Sequence, residues 1–180
     1  MTASRFLTFA LLFLAVTSCG GESPAKPAGP VWEEPQLSML LKACRQKLPD
    51  KARVLELSLQ ESSGMLRVRD PRAEGGVSVY YFKGPGIWLG DPSPGFLEDG
   101  ENLAESPFSL DQVALRRIPE LVRTAKEKMS FEGAKVATIR VKRGPPPAGD
   151  VQIKIIFNGK SNSGSLLADS QGNVLKVEIL

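Results

Sequence analysis

Residues 134–179 read AKVATIRVKRGPPPAGDVQIKIIFNGKSNSGSLLADSQGNVLKVEI, and this stretch decides the fold. Runs of β-branched and other apolar residues alternate with clusters of Gly, Pro, Ser and Asp, which is the pattern of short strands joined by turns. The predicted strands cover residues 134–143, 151–158, 165–169 and 174–179. Because the connections between them are short, consecutive strands pair antiparallel, and we predict a meander.

A helix is predicted directly before this meander. Ser109 and Gln112 have the spacing of a capping box. Pro119 suits the first turn of a helix, where its missing N–H costs nothing. One apolar face follows at helical spacing, formed by Ile118, Leu121, Val122, Ala125 and Met129. We therefore predict one α+β unit over residues 108–180.

Residues 36–107 repeat this order of elements. A helix is predicted at 36–48, with strands at 52–60, 65–69, 77–83 and 87–89. Short matches connect the two parts of the chain, such as Phe82-Lys83-Gly84 with Phe157-Asn158-Gly159. The predicted fold class is α+β, with two helix-plus-antiparallel-meander units, and the matches favour a duplication. The alternative is that any helix followed by strands shows such coincidences.

The composition excludes several kinds of chemistry. The chain of 180 residues has 42% hydrophobic and 24% charged residues, which is ordinary for a globular protein, but no histidine and two cysteines. Imidazole therefore serves neither as a general base nor as a metal ligand, and two cysteines alone do not make a structural zinc site. We expect no catalytic residue, no cofactor and no metal site, and the chain is predicted not to be an enzyme.

Three smaller patterns have a structural and a chemical interpretation. Asp169 is expected to cap a turn, the alternative being a metal site with Asp150 or Glu178. Gly159-Lys160-Ser161 is expected to be a hairpin turn, since a phosphate loop would need a helix after it. Cys44 lies on the apolar face of the first predicted helix and is expected to be a core residue, the alternative being a reactive thiol.

The N-terminus has the pattern of an export signal. Arg5 precedes an uncharged, mostly apolar run over residues 6–16, which is too short for the roughly 20 residues of a membrane-spanning helix. We assign residues 1–18 to a signal peptide. Residues 19–35 contain four prolines and three glycines and are predicted to be a tether. Within it, Trp32 is expected to dock on the domain, the alternative being a position at lipid headgroups.

Val16-Thr17-Ser18-Cys19 resembles the lipobox of bacterial lipoproteins. The resemblance implies that Cys19 carries lipid, that the membrane is reached through this lipid, and that the domain is extracytoplasmic. Because Gly20 rather than Asp follows the cysteine, it also implies the outer membrane, facing the periplasm, in a Gram-negative cell. The alternative is an ordinary signal peptide with Cys19 as a bystander.

Residues 164–175, GSLLADSQGNVL, resemble the closing hairpin of PepSY-like domains. The tandem layout of helix and strands is also similar to β-lactamase-inhibitor-protein-like modules. Both resemblances imply an extracytoplasmic binding or inhibitory module without catalytic residues.

Two surfaces are candidates for binding a partner. Aromatic residues are enriched where proteins bind each other, which points to Tyr80, Trp88 and Phe96. For Val79-Tyr80-Tyr81-Phe82, which is apolar on both strand faces, the first interpretation is a central strand covered on each side, and the exposed partner surface is the alternative. The second candidate is basic: residues 116–160 hold eleven bases and four acids. It consists of Arg140, Lys142 and Arg143. The alternative here is a solvated face that is partly neutralised by the acidic residues in 91–111.

Together these observations predict an envelope lipoprotein whose domain binds a protein partner and does not bind nucleic acid. One alternative is an accessory factor or enzyme that acts on cell-wall glycan, with two carboxylates as acid and base. Another is a carrier of a small ligand, which would need an apolar cavity between helix and sheet.

Overall fold

The computed structural model describes residues 29–48, 52–84, 88–99, 106–129, 131–144 and 149–180. The predicted signal peptide, Cys19 and most of the predicted tether lie outside the described residues. In the described part of the chain, no helix is long and apolar enough to span a membrane.

Two short helices and nine strands form the described fold. The helices are α1 (Gln36–Lys47) and α2 (Ile118–Lys128). The strands of the first part are β1 (Val54–Leu59), β2 (Ser63–Arg69), β3 (Val77–Lys83), β4 (Trp88–Leu89) and β5 (Ser93–Pro94). The strands of the second part are β6 (Lys135–Arg143), β7 (Val151–Asn158), β8 (Ser163–Asp169) and β9 (Val174–Ile179).

All nine strands belong to one antiparallel sheet. Its order is β4-β3-β2-β1-β6-β7-β8-β9, and β5 pairs with the outer side of β3. The central pairing is between β1 and β6, where Leu57 lies opposite Val141. The same row continues to Leu66 and Tyr80 on one side and to Ile153 on the other.

One core lies between the helices and one face of this sheet, which we call the helix-covered face. It includes apolar side chains from the middle strands and from both helices, such as Leu57, Tyr80, Ile153, Leu40 and Leu121. Because strand side chains alternate between faces, the neighbouring residues of these strands point to the opposite face.

The predicted fold class of two helix-plus-meander units, related by duplication, is wrong. The strands of both parts form one continuous sheet through the pairing of β1 with β6, and both helices contribute to a single core. The helices have only 12 and 11 residues, so the fold is dominated by its sheet.

Several local predictions are confirmed. Trp32 is buried in the core together with Val31, so the folded part begins before the predicted start at residue 36. Cys44 is a free, buried cysteine. The Ser109 capping box is present, although it caps a short 3₁₀ turn before α2 rather than α2 itself. Pro119 lies in the first turn of α2.

Candidate partner-binding surface

A short segment crosses the face of the sheet opposite the helices. We call residues 95–98 the strap. It begins at Gly95, whose N–H donates to the carbonyl of Val77 at 2.9 Å. A Cβ at Gly95 would lie 2.7 Å from a methyl carbon of Val79 and 2.8 Å from one of Val77. Only glycine therefore allows the chain to turn this closely over β3, and this contact keeps both valines buried.

Four charged side chains of the sheet and Glu98 of the strap form a group that we call the charge cluster: Glu56, Arg67, Glu98, Arg140 and Lys142. At its centre, the fully buried carboxylate of Glu56 accepts hydrogen bonds from Arg140 Nε at 2.6 Å and Nη2 at 3.1 Å. Arg67, also buried, lies opposite Glu56 in the register of β1 and β2 and donates from Nη1 at 3.4 Å. A buried carboxylate needs such partners because desolvation is costly.

Glu98 attaches the end of the strap to the charge cluster. Its carboxylate accepts from Lys142 Nζ at 3.0 Å and Arg140 Nη2 at 3.3 Å, and lies 3.4 Å from Arg67 Nη1. Partial burial alone raises the pKa of Glu98, but the hydrogen bond from Lys142 and the three positive charges together hold it below its ordinary value. The hydrogen bonds to Glu56 raise the pKa of Arg140.

The side chains between these anchor points are turned toward solvent. Arg67 Nη2 donates to the carbonyl of Phe96 at 2.5 Å, yet Phe96 is 77% exposed. Leu97 is 37% exposed. On the same face of the sheet, Tyr81 of β3 is 58% exposed. The strap thus presents apolar side chains from a backbone that is fixed at both ends.

The structure separates the residues of the two predicted surfaces. Tyr80 is buried in the core, so its placement on a partner surface is corrected, and the exposed tyrosine is its neighbour Tyr81. Trp88 begins β4, and its side chain lies outside what the structure describes. On the face opposite the helices, Val79 of β3 is buried because the strap covers it, whereas Tyr81 of β3 is exposed.

The predicted basic group is also divided. Arg140 and Lys142 lie in the charge cluster, where both form ion pairs with Glu98 of the acidic 91–111 segment. On β6, Arg143 is one residue from Lys142 and three residues from Arg140, so its side chain points to the other face of the sheet. There its guanidinium donates to the carbonyl of Gly149. The three basic residues do not form one patch.

Asp169 caps the turn between β8 and β9. Its carboxylate accepts from the N–H of Gln171 at 2.9 Å and of Asn173 at 2.8 Å. The side-chain and backbone hydrogen bonds of Asn173 are the main reasons that its pKa is lowered. Within the described ranges, no group of three Cys, Asp or Glu side chains has the arrangement of a metal site.

A separate cavity of about 520 Å³ lies between α1 and the 3₁₀ turns that precede α2. Apolar side chains of Leu41, Cys44 and Val113 line it, and Arg45 and Asp111 form an ion pair at its rim with an N–O distance of 3.4 Å. Burial raises the pKa of the Cys44 thiol to about 12, so this thiol is not a nucleophile at neutral pH.

No protein-family model matches this chain, and no curated protein matches it in sequence. Among solved structures, it is similar to the crystal structure of a "putative lipoprotein" from Clostridium difficile 630. The TM-score is 0.55 at 15% sequence identity, over 81% of this chain and 91% of the other. At this identity the similarity shows a shared fold.

Sequence reasoning missed Glu56, Arg67 and Tyr81. The signal for the first two is present in the sequence, because β1 has one acid, Glu56, among apolar residues, and β2 has a base of opposite charge, Arg67, between Leu66 and Val68. Tyr81 differs from Tyr80 only by one position, so its exposure depends on which face of the sheet the helices cover.

Proposed function

We propose that this chain is a lipid-anchored lipoprotein of the bacterial envelope whose domain binds a protein partner through Phe96 and performs no chemistry of its own. The sequence Val16-Thr17-Ser18-Cys19 supports the anchor, and the fold shared with the Clostridium difficile protein is consistent with it. Gly20 after the cysteine favours the outer membrane. The resemblance to PepSY-like and inhibitor-like modules agrees with a binding role.

The exposure of Phe96 on a fixed backbone is the observation that carries the binding proposal. Because the backbone that carries this side chain is already held by Arg67 and by the ends of the strap, a partner that covers Phe96 does not have to order the segment. Leu97 adds apolar area, and the partly exposed heads of Arg140 and Lys142 lie beside the strap. The partner is therefore expected to offer an apolar pocket with acidic groups at its edge.

The charge cluster does not suit the two-carboxylate chemistry of glycan hydrolysis. A general acid must keep its proton near neutral pH, which requires a raised pKa. The pKa of Glu98 is lowered instead, and Glu56 is enclosed by two arginines. This argues for a structural role of both carboxylates and favours binding over catalysis.

Crosslinking in intact cells tests the binding surface. A photo-reactive amino acid replaces Leu97 in the full chain, and the control carries it at Glu127, an exposed position on α2. We expect one envelope protein to be crosslinked from position 97 and not from 127. Adding Phe96→Ala should reduce this product about tenfold or more, as for a hot-spot residue. Equal products from both positions, or no effect of Phe96→Ala, would contradict the proposal.

Fractionation of the same cells tests the anchor separately. The Cys19→Ala chain should leave the membrane fraction, because two or more acyl chains are needed for stable attachment and this variant cannot carry them. Its retention in the membrane fraction would rule out the lipid anchor without affecting the binding surface.

The cavity beside α1 favours a second candidate function, the carriage of a small ligand. Its volume of about 520 Å³ lies in the range of small-molecule sites. An apolar ligand with a charged end would contact Leu41 and Cys44 inside and Arg45 at the rim. Mass spectrometry of extracts from the purified full chain should then find one compound that is lost when Leu41→Trp fills the cavity.

A further inference from the structure

The outer edge of β9 is open and apolar. β9 is the last strand in the sheet, and along its outer side no strand of the described chain pairs with it. Four apolar residues at this edge are exposed: Val174, Leu175 at 57%, Ile179 at 52% and Leu180. Exposed strand edges of this kind favour pairing with another chain.

The backbone direction of β9 limits how another strand can pair. Leu180 and Ser163 of β8 exchange two hydrogen bonds, at 2.7 and 3.1 Å. In an antiparallel ladder, hydrogen-bonded and non-hydrogen-bonded pairs alternate. The N–H and C=O groups of Val177 and Ile179 therefore point away from β8, toward the open edge.

We infer that β9 pairs antiparallel with β9 of a second copy of this chain, with the twofold axis at Val177. The two Val177 residues would then exchange hydrogen bonds through their outward backbone groups. Lys176 of each copy would lie opposite Glu178 of the other, and Leu175 opposite Ile179. The sequence of β9 is thus complementary to itself in both charge and apolar character.

Neighbouring registers lack this complementarity. The outward N–H and C=O groups of β9 belong to alternate residues. The outward groups of two copies therefore face each other only in registers whose twofold axis passes through a residue, and neighbouring registers of this kind differ by one residue in the position of the axis. With the axis at residue 176, two lysines would face each other, and with the axis at residue 178, two glutamates would. Like charges directly opposite each other destabilise a strand pair, so the register at Val177 is selected.

Lys176 and Glu178 are exposed enough to contact a second copy. Lys176 and Glu178 form an ion pair within β9, and their side chains are 62% and 42% exposed. In the dimer, each ammonium would have a second carboxylate across the interface, at a pair where the two strands approach closely. The paired strands would join two sheets into one continuous sheet.

Charge reversal tests this register. The Lys176→Glu chain places glutamates opposite Glu178, and the Glu178→Lys chain places lysines opposite Lys176. We expect sedimentation equilibrium of the full chain in detergent micelles to show a dimer for the wild type. Each variant alone should dimerise about tenfold more weakly, since two unlike pairs become like pairs. A mixture of the two variants should restore the dimer, which also shows that both are folded.

Disulfide crosslinking tests the register of the two β9 strands in membranes. Co-expressed full chains with Lys176→Cys and Glu178→Cys, each carrying a different tag, should form a mixed disulfide, because opposed residues in such pairs have Cα atoms about 4.5 Å apart. The control pair uses Lys154→Cys, an exposed position on β7, and should not crosslink. A monomeric wild type, unweakened single variants, or a mixture that does not associate would overturn the inference.

Discussion

The carboxylate of Glu56 and the guanidinium of Arg140 form a two-point contact, at 2.6 and 3.1 Å, between residues that are 84 positions apart in the chain. It links β1 to β6 at the centre of the sheet, and Glu56 is fully buried there. Because water does not reach this carboxylate, Arg140 and Arg67 provide its hydrogen bonds.

Replacing Arg140 should therefore destabilise the fold. In Arg140→Met, Glu56 stays buried and retains only the longer contact from Arg67. We expect the free energy of unfolding to fall by about 2 kcal/mol, which is less than for a fully buried pair because Arg140 is one-third exposed and Arg67 still contacts Glu56. Denaturant titration measures this change. The control Arg123→Ala, at an exposed position on α2, should change it by no more than about 0.5 kcal/mol.

The contribution of Glu98 to stability should depend on pH. Its pKa in the folded protein lies below the ordinary value of 4.5, so the folded state binds the proton less well than the unfolded state. The stabilisation is then complete above pH 4.5 and is lost as the pH falls through the folded pKa. Glu98→Gln removes it.

Unfolding of wild type and Glu98→Gln is to be compared from neutral to acid pH. The difference in the free energy of unfolding should be largest at neutral pH and shrink in acid. A difference that grows as the pH falls would contradict the ion pairs of the strap. Glu127→Gln on α2 is the control, because it shows how the free energy of unfolding changes with pH when an exposed glutamate is replaced.

The thiol of Cys44 should react only after unfolding. Its pKa of about 12 leaves about one molecule in ten thousand as thiolate at pH 8, and the side chain is buried. In a Cys19→Ala chain, Cys44 is the single thiol, so a thiol reagent reports on it alone. Labelling should be at least about a thousandfold slower in buffer than in denaturant. Fast labelling in buffer would mean that the cavity beside α1 opens to the thiol.

Gly64 should not tolerate a side chain. A Cβ there would lie 2.2 Å from the carbonyl oxygen of Ser58 and 2.2 Å from Cζ of the Phe82 ring. We expect Gly64→Ala to lower the free energy of unfolding by about 2–3 kcal/mol, because the backbone of β1 cannot move away. Gly84→Ala is the matched control, since its nearest contact is 3.6 Å. Similar thermal midpoints for the two variants would disprove the close approach.

The helices and strands could be predicted because their signals are local. The helix that the sequence predicts at 36–48 corresponds to α1 at Gln36–Lys47, and β3, β7 and β9 have the predicted bounds. Hydrophobic periodicity and turn residues depend only on residues close together in the chain, so they can be read from a single sequence. The pairing of β1 with β6 connects distant segments, and no local pattern encodes it.

The candidate site was less predictable for the same reason. The sequence shows that Phe96 is aromatic, but its exposure follows from the path of the strap over β3. Glu98 receives its partners from β2 and β6, which only the assembled sheet brings together. Tyr80 and Tyr81 are neighbours in a strand, so one is buried and the other is exposed. Strand alternation alone does not tell which of the two faces the core.

The position of β1 in the centre of the sheet has a consequence for folding. A chain that emerges with its N-terminus first completes β1, β2 and β3 well before β6 exists. During this time the hydrogen-bonding edge of β1 that later pairs with β6 is open, and only α1 of the two helices is present to cover the apolar face. Folding therefore waits for a contact between distant segments, which slows it. The first half is expected to need protection from aggregation until the second half arrives.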